Sequence, residues 1–144
     1  MDVKTILRTK GREVTTIRPH ASVARAAELL RQRNIGAVVV VDDAGAVQGI
    51  LSERDIVHAV SADGAAALER RVAELMTRRL HSCQLDDSIT DLMARMTKER
   101  IRHLPVLQDG RLCGIVSIGD VVKNRLEEIE YEAGQLREYV TTAG

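Results

Sequence analysis

Two short stretches of the sequence place a serine three residues before an aspartate, directly after a run of apolar residues. They read GILSERD at residues 49–55 and GIVSIGD at residues 114–120. A serine that begins a helix, with an acidic residue three places on, resembles a capping box, although Asp replaces the usual Glu or Gln. Capping alone explains most matches to so short a pattern. The same groups can also bind a nucleotide, because helix N-terminal amides attract phosphate oxygens and a carboxylate accepts hydrogen bonds from a diol.

The two stretches belong to a longer repeat. Ser52 and Ser117 are 65 residues apart, as are Asp55 and Asp120. Before a one-residue deletion in a turn, a shift of 66 aligns Thr16 with Ser82, Ser22 with Ser88, Ile35 with Ile101 and Val40 with Val106. The preceding segments also match loosely, with VKTILRT at 3–9 resembling VAELMT at 72–77. A fixed period over most of the chain indicates a duplicated unit.

Each copy predicts the same order of elements. Ser22 and Ser88 precede apolar residues at helical spacing, which predicts a capped helix in each copy. The β-branched runs at 37–41 and 103–107 are each followed by a glycine-containing turn and a second strand, at 47–52 and 112–117. A further helix begins after Ser52 and after Ser117. With an extended segment before the first helix, the sequence predicts an α+β fold of two β-α-β-β-α repeats, packed together with pseudo-two-fold symmetry.

These features resemble a known family. The tandem β-α-β-β-α unit, the junction G-h-h-S-x-x-D, in which h is apolar, and the stretch IRHLPV at 101–106 are similar to a pair of cystathionine β-synthase (CBS) domains. We place the two repeats at residues 3–67 and 72–131, with the end of a C-terminal helix and the tail at 132–144. The resemblance implies a regulatory module without catalysis, which binds adenosine-containing ligands in clefts between the repeats. AMP, ADP or ATP is the first expectation, and NAD(H) and S-adenosylmethionine are the alternatives.

The resemblance also implies which residues contact the ligand. Asp55 and Asp120 match the aspartate that binds the ribose hydroxyls, and Ser52 and Ser117 match the hydroxyl residue near the phosphate. Positions expected at the first strand are Thr16 and Ser82, for which a solvated strand hydroxyl is an equal alternative. Positions expected around the base are Ile35, Ala37, Val38, Ile50, Ile101, His103, Leu104, Pro105 and Ile115. Most of these apolar residues would lie in the core even without a ligand.

Basic residues distinguish the two copies. Arg102 and His103 occur only in the second copy, where the first has Gly36 and Ala37, whereas Arg54 occurs only in the first. A basic pair beside helix N-termini suits a phosphate group. We therefore expect Arg102 and His103 to accompany the second serine–aspartate junction and Arg54 the first. The two clefts should then differ in affinity or in the length of phosphate chain that they accept.

The composition disfavours several classes of protein. The chain has 21 basic and 21 acidic residues, so no net field favours nucleic acid. No apolar run approaches a membrane span and the N-terminus lacks a signal-peptide core, which predicts a cytoplasmic protein. Two cysteines 30 residues apart and four scattered histidines predict no metal site. No nucleophile with a base stands at a recognisable spacing, so we predict no catalytic residue.

The C-terminal segment suggests a protein partner. Its apolar residues recur at spacings of 4, 3, 4, 3 and 4: Val122, Leu126, Ile129, Ala133, Leu136 and Val140. This stripe extends the last helix beyond what the repeat requires. It either packs on its own chain or forms a dimer contact, and we predict a homodimer. Two functions remain open, a sensor that signals to an unidentified regulated protein and a structural dimerisation module whose ligand site is vestigial.

Overall fold

A computed structural model describes residues 1–78 and 81–143 as an α+β fold of two repeats with a long C-terminal helix. Helix α1 (Val3–Lys10) comes first. The first repeat then comprises β1 (Thr16–Ile17), α2 (Val23–Arg33), β2 (Ala37–Val41), β3 (Val47–Ser52) and α3 (Glu53–Asp63). A 3₁₀ helix (Gly64–Glu69) and α4 (Val72–Leu75) connect it to the second repeat. The second repeat comprises α5 (Ile89–Glu99), β4 (His103–Gln108), β5 (Arg111–Ser117) and α6 (Ile118–Ala143).

The helices that open the two repeats begin as the sequence predicts. The Ser22 hydroxyl accepts a hydrogen bond from the Arg25 amide at 3.1 Å, and the Ser88 hydroxyl accepts one from the Asp91 amide, also at 3.1 Å. Each hydroxyl thereby satisfies an amide that has no partner inside its helix. The predicted caps of α2 and α5 are confirmed.

The strands form the two predicted hairpins. Strands β2 and β3 pair antiparallel, as do β4 and β5, and β1 lies parallel to β2. In the second repeat Cys83 forms a single parallel bridge to Val106, which matches the pairing of Ile17 with Val40 in the first. The β-α-β-β-α order is therefore present in both copies, with the first strand of the second copy reduced to that bridge.

The short helices α1 and α4 are exchanged between the repeats. Ile6 and Leu7 of α1 are buried in the core of the second repeat, beside Leu104. Val72 of α4 and the adjoining Met76 are buried in the core of the first repeat. Each hydrophobic core is thus completed by a segment that precedes the other repeat in the chain.

Backbone hydrogen bonds show that this exchange is symmetric. The Val3 amide donates to the Asp87 carbonyl at 3.0 Å, and at the matching positions the Val72 amide donates to the Ala21 carbonyl at 2.8 Å. A second matching pair joins Ile89 to Met1 and Val23 to Arg70. The same contacts therefore occur twice, as expected for repeats related by a pseudo-two-fold axis.

The first glycine of GILSERD and that of GIVSIGD each lie where an exchanged segment crosses the sheet. A Cβ atom on Gly49 would lie 2.8 Å from the Thr77 carbonyl oxygen and 2.9 Å from the Met76 sulfur. A Cβ atom on Gly114 would lie 2.9 Å from a Leu7 methyl carbon. At both glycines the neighbouring segment approaches the strand so closely that an added side chain would require that segment to shift.

The C-terminal helix α6 packs on its own repeat only near its start. Val121 and Asn124 are buried against the second repeat. The apolar stripe of α6 instead faces outward, with Leu126 56% and Leu136 65% exposed. Within residues 1–78 and 81–143, most of this stripe is not packed on its own chain, which was one of the two alternatives. Among the described residues, no helix combines the length and the hydrophobicity needed to cross a bilayer.

Candidate functional site

Both serine–aspartate junctions cap the helices that follow them. The Asp55 amide donates to the Ser52 hydroxyl at 3.3 Å, and the Ser52 amide donates back to Asp55 Oδ2 at 2.9 Å. At the second junction the matching distances between Asp120 and Ser117 are 3.2 and 2.9 Å. The predicted capping boxes are confirmed. Because the cap uses only one oxygen of each carboxylate, it leaves the other available to a ligand.

The junctions open into two clefts between the repeats. The first cleft, of about 280 Å³, joins the Ser52–Asp55 junction to residues 100–103 of the second repeat. The second cleft, of about 300 Å³, joins the Ser117 and Asp120 junction to residues 34–37 of the first repeat. Gly36 and His103 border both clefts. Each cleft is therefore made by both repeats, and its size lies near the lower limit for small-molecule sites.

The clefts bring together most of the residues proposed from sequence. Those that line the first cleft are Ile50, Ser52, Arg54, Asp55, Ile101, Arg102 and His103. Those that line the second are Ile35, Ala37, His103, Ile115, Ser117 and Asp120. Their role in ligand binding stays a prediction, which the geometry makes possible.

Two proposed hydroxyl residues lie outside both clefts. Thr16 and Ser82 line separate surface hollows, and it is the preceding residues, Thr15 and His81, that border the clefts. Neighbouring residues of an extended segment point to opposite faces, so a difference of one position moves a side chain out of the cleft. The repeat alignment finds these positions correctly as a pair but does not determine which face they occupy.

Three proposed base-flanking residues belong to the interior instead. Val38 and Leu104 are fully buried in the cores of the first and second repeat. Pro105 is buried in β4, where it pairs with Ile115. These side chains shape the clefts only indirectly, by supporting the strands that border them.

The expected grouping of the basic residues was wrong. Arg102 lines the first cleft with Ser52, Asp55 and Arg54 and does not border the second, although its carbonyl accepts a hydrogen bond from the Ile118 amide at 2.8 Å. His103 borders both clefts. The physical reason is the symmetry of the packing, since each cleft lies between one junction and the start of the opposite repeat's second strand.

Three arginines consequently converge on the first cleft. Arg54, Arg100 and Arg102 all border it, and none of their side chains has an ion pair or hydrogen bond within residues 1–78 and 81–143. We call them the arginine cluster. Two carboxylates, Glu53 and Asp55, also border this cleft. The cluster leaves the cleft with a basic excess that is not neutralised internally, which favours an anionic ligand.

Arg100 is a site residue that sequence reasoning missed. It ends α5 in a left-handed conformation with φ of 55°, and its counterpart Asn34 ends α2 with φ of 52°. Asn tolerates this conformation more readily than Arg does. The alignment of Arg100 with Asn34 was the available signal. Other cleft residues that were not proposed are Lys10, Glu13, Val14, Thr15, Asn34, Gly36, Glu53, Thr77 and His81.

The second cleft is occupied by an internal ion pair. Lys10 Nζ lies 2.6 Å from Asp120 Oδ2 and donates to the Ile115 carbonyl at 2.9 Å. Burial raises the pKa of Asp120, but the hydrogen bonds from Lys10 and Ser117 outweigh it and hold that pKa below its ordinary value. Asp120 is therefore ionised at neutral pH and already paired with a cation.

His103, between the clefts, is held in its neutral form. Burial lowers its pKa and the nearby Lys10 ammonium lowers it further, against the opposing effect of Asp120 and Glu53. A neutral imidazole both donates and accepts a hydrogen bond, so His103 can contact either a base or a phosphate. Within the described ranges, no group of three or more His, Cys, Asp or Glu side chains is placed to hold a metal ion.

Comparison with known proteins identifies the family. A model of the CBS domain matches residues 3–62 and again residues 72–127. The chain belongs to the CBS domain family. Its two matches make it a CBS domain pair, a class of module that is typically regulatory and non-catalytic.

Several relatives share both sequence and structure with this CBS pair. The CBS domain-containing protein YhcV of Bacillus subtilis is 34% identical over 118 residues, which cover 82% of this chain and 83% of YhcV. The crystal structure of the CBS-domain containing protein ATU1752 from Agrobacterium tumefaciens superposes with a TM-score of 0.85 at 49% identity. That match covers 87% of this chain and 99% of ATU1752.

One similar structure contains ligands. The CBS domain pair of protein MJ0100, solved in complex with 5-methylthioadenosine and S-adenosyl-L-methionine, is 27% identical to this chain with a TM-score of 0.79. The match covers 89% of this chain and 98% of the MJ0100 pair. A CBS pair of this architecture therefore binds adenosine derivatives.

Proposed function

We propose that this CBS pair senses an adenosine nucleotide, with AMP, ADP or ATP as the ligand, and transmits its binding to a regulated protein. The observation that carries the proposal is the arginine cluster beside the Ser52–Asp55 junction in the first cleft. Three guanidinium groups without partners among the described residues supply the positive charge that a phosphate chain requires, and their planar donors suit phosphate oxygens. The complex of the MJ0100 pair with adenosine derivatives supports the nucleoside part of the ligand.

The junction suits the ribose of such a ligand. Asp55 accepts the hydrogen bonds of its cap through Oδ2, and its Oδ1 carries none within the described residues. A half-buried carboxylate with a free oxygen is a good acceptor for a ribose hydroxyl. Ile50 and Ile101 give the same cleft aliphatic walls for an adenine ring. The sequence contains no Phe or Trp that could stack on the ring instead.

A dinucleotide such as NAD(H) is a second candidate for this cleft. A neighbouring hollow of about 450 Å³ shares the arginine cluster and Ile101 with the first cleft and is also lined by Met96 and Ile118. A pyrophosphate lying over the arginines would place a second nucleoside in this hollow. S-adenosylmethionine, the ligand printed for the MJ0100 pair, has no phosphate and would leave the arginine cluster unused.

The outward stripe of α6 supports a homodimer. Leu126, Ile129, Leu136 and Val140 are all exposed on one long helix. Contiguous exposed apolar surface of this kind favours association, and a heptad-like spacing suits a second copy of the same helix. If neither cleft binds a ligand, dimerisation through this stripe would be the remaining function, that of a structural interaction module.

Thermal unfolding with added AMP, ATP, NADH or S-adenosylmethionine tests the proposal. A ligand at 100 times its dissociation constant should stabilise the fold by about 2.7 kcal/mol. We expect ATP or AMP to raise the melting temperature most. A larger shift with NADH would favour the dinucleotide, and no shift with any of the four would favour the structural module.

Replacing one arginine of the cluster tests the role of the charge. Arg102→Ala should weaken ATP binding by about tenfold, the loss expected for one charge-assisted contact. Binding of adenosine, which has no phosphate, should change little. The matched control is Arg111→Ala, which removes an exposed arginine outside both clefts. An equal effect of both substitutions on ATP would contradict a phosphate contact at Arg102.

A further inference from the structure

The two junctions are alike in their caps but differ in what holds their carboxylates. In the first cleft, Asp55 contacts only the Ser52 amide and hydroxyl within residues 1–78 and 81–143. In the second, the Lys10 ammonium lies 2.6 Å from Oδ2 of the matching Asp120, the oxygen that also accepts the hydrogen bond from the Ser117 amide. One aspartate is thus available to a ligand, whereas the other already has a cationic partner.

The exchanged segments explain why only one cleft contains this cation. After α4 the chain runs extended, and Thr77 forms two backbone hydrogen bonds with Ile50, of 3.1 and 2.9 Å. After the matching part of α1 the helix continues to Lys10, whose side chain takes the Ile115 carbonyl instead. A lysine side chain therefore fills the place that extended backbone occupies in the first cleft.

We propose that Lys10 is a specificity-determining residue of the second cleft, because its ammonium neutralises the Asp120 carboxylate that a ligand's ribose would otherwise meet as a free anion. This inference rests on the proposed function, since it assumes that the junction aspartates receive the ribose. A ligand in the second cleft must then compete with Lys10 for this carboxylate. The two clefts fill in order, the first before the second.

The position of Lys10 favours its pairing with Asp120. Helix α1 is anchored by Ile6 and Leu7 in the core of the second repeat, so its last residue is held near the junction. A cation in the last turn of a helix is also stabilised by the helix dipole. The Lys10 and Asp120 side chains are 33% and 25% exposed, so solvent screens the pair only partly.

A different role for Lys10 would have the opposite effect on binding at the second cleft. Lys10 could swing away from Asp120 to bind a ligand's phosphate, and its removal would then weaken the second site. The second cleft contains a single lysine against two carboxylates, Glu13 and Asp120. A phosphate would therefore meet less positive charge here than at the arginine cluster. This difference favours the role of Lys10 as a partner of Asp120.

Isothermal titration of the full chain with AMP and with ATP tests the inference. For the wild type we expect one tight site and one that is weaker or undetected. In Lys10→Met the weak site should tighten by at least about tenfold, the gain expected when a charged hydrogen-bond partner no longer competes. The tight site should not change. Melting curves of each variant would separate a loss of fold from a change in binding.

Three further variants assign the effect to the ammonium and to the second cleft. Lys10→Arg keeps a cation at the end of α1 and should retain the weak site. Lys4→Met removes a lysine of the same helix that lies outside both clefts, and should behave as the wild type. Asp55→Asn should remove the tight site, so that the double variant Asp55→Asn with Lys10→Met reports the second cleft alone.

The outcomes separate this inference from the proposed function. Two equal sites in the wild type, or weaker binding in Lys10→Met, would overturn the role of Lys10 and leave the proposed function intact. Binding to Lys10→Met without any binding to the wild type would support that role and overturn the tight first cleft. No binding of either nucleotide to either protein would overturn both.

Discussion

Asp55 caps a helix in the structure and binds a ligand in our proposal. Comparison with Asp91 separates the two roles. Asp91 stands three places after Ser88 and donates its amide to that serine at 3.1 Å, as Asp55 does to Ser52 at 3.3 Å. Asp91 borders neither cleft. The serine cap therefore occurs at two junctions that border a cleft and at one helix start that borders neither.

Replacing these two aspartates should affect binding unequally. Asp55→Asn and Asp91→Asn each remove a negative charge from a helix N-terminus, which should lower the free energy of unfolding by about 0.3–1 kcal/mol. Only Asp55→Asn should weaken ATP binding, by at least about tenfold, because it removes a charged acceptor from the ribose. Urea unfolding and isothermal titration measure the two effects. Unchanged ATP affinity in Asp55→Asn would assign this residue to capping alone.

Sequence reasoning at this scale succeeded where a residue's role is local. The caps at Ser52 and Ser117 were predicted because donor and acceptor lie within four residues of each other. The partners of Arg102 were predicted wrongly, since they depend on which repeat faces which. Thr16 shows a third case, because aligning the repeats does not reveal which face of a two-residue strand a side chain occupies.

At the scale of elements, the exchange of α1 and α4 determines how closely a neighbouring segment approaches each sheet. The segments cross β3 and β5 at Gly49 and Gly114, but they bring different atoms to the crossing. At Gly49 the nearest atom is a backbone oxygen, which cannot move without the chain. At Gly114 it is the end of the Leu7 side chain, which can change rotamer.

Alanine at the two glycines should therefore have different costs. Gly49→Ala should destabilise the fold by about 1–3 kcal/mol, because its Cβ would overlap the Thr77 carbonyl at 2.8 Å. Gly114→Ala should stay within about 1 kcal/mol of the wild type, since Leu7 can give way and alanine restricts the unfolded chain. Urea unfolding of both variants measures the difference. Equal costs would contradict the crossing geometry.

The elements themselves were largely predictable, and their arrangement was not. The β-branched run at 37–41 and the serine before α2 specify a strand and a helix through local preferences. The resemblance of residues 3–9 to 72–77 indicated equivalent segments, but not that each would pack on the opposite repeat. That choice depends on contacts between residues such as Leu7 and Leu104, which are far apart in the chain.

The whole molecule presents the α6 stripe to solvent, which leads to a prediction about assembly. Leu126→Glu with Ile129→Glu should convert the proposed dimer to a monomer, because two carboxylates would be buried without partners in the contact. Truncation after Asn124 should have the same effect. Tyr131→Glu is the control, since Tyr131 is exposed but lies off the stripe. Analytical ultracentrifugation gives the mass, and a monomeric wild type would contradict the dimer.

The exchange of helices also affects the order in which the chain can fold during synthesis. All core residues of the first repeat have been synthesised once the ribosome has passed Met76, because α4 directly follows this repeat in the chain. Helix α1 is made first, but the core that receives it extends to Val121. Because domains generally fold as they emerge, the first repeat can close while α1 still lacks its partners. Helix α1, which is translated before both repeats, is thus among the last elements to be buried.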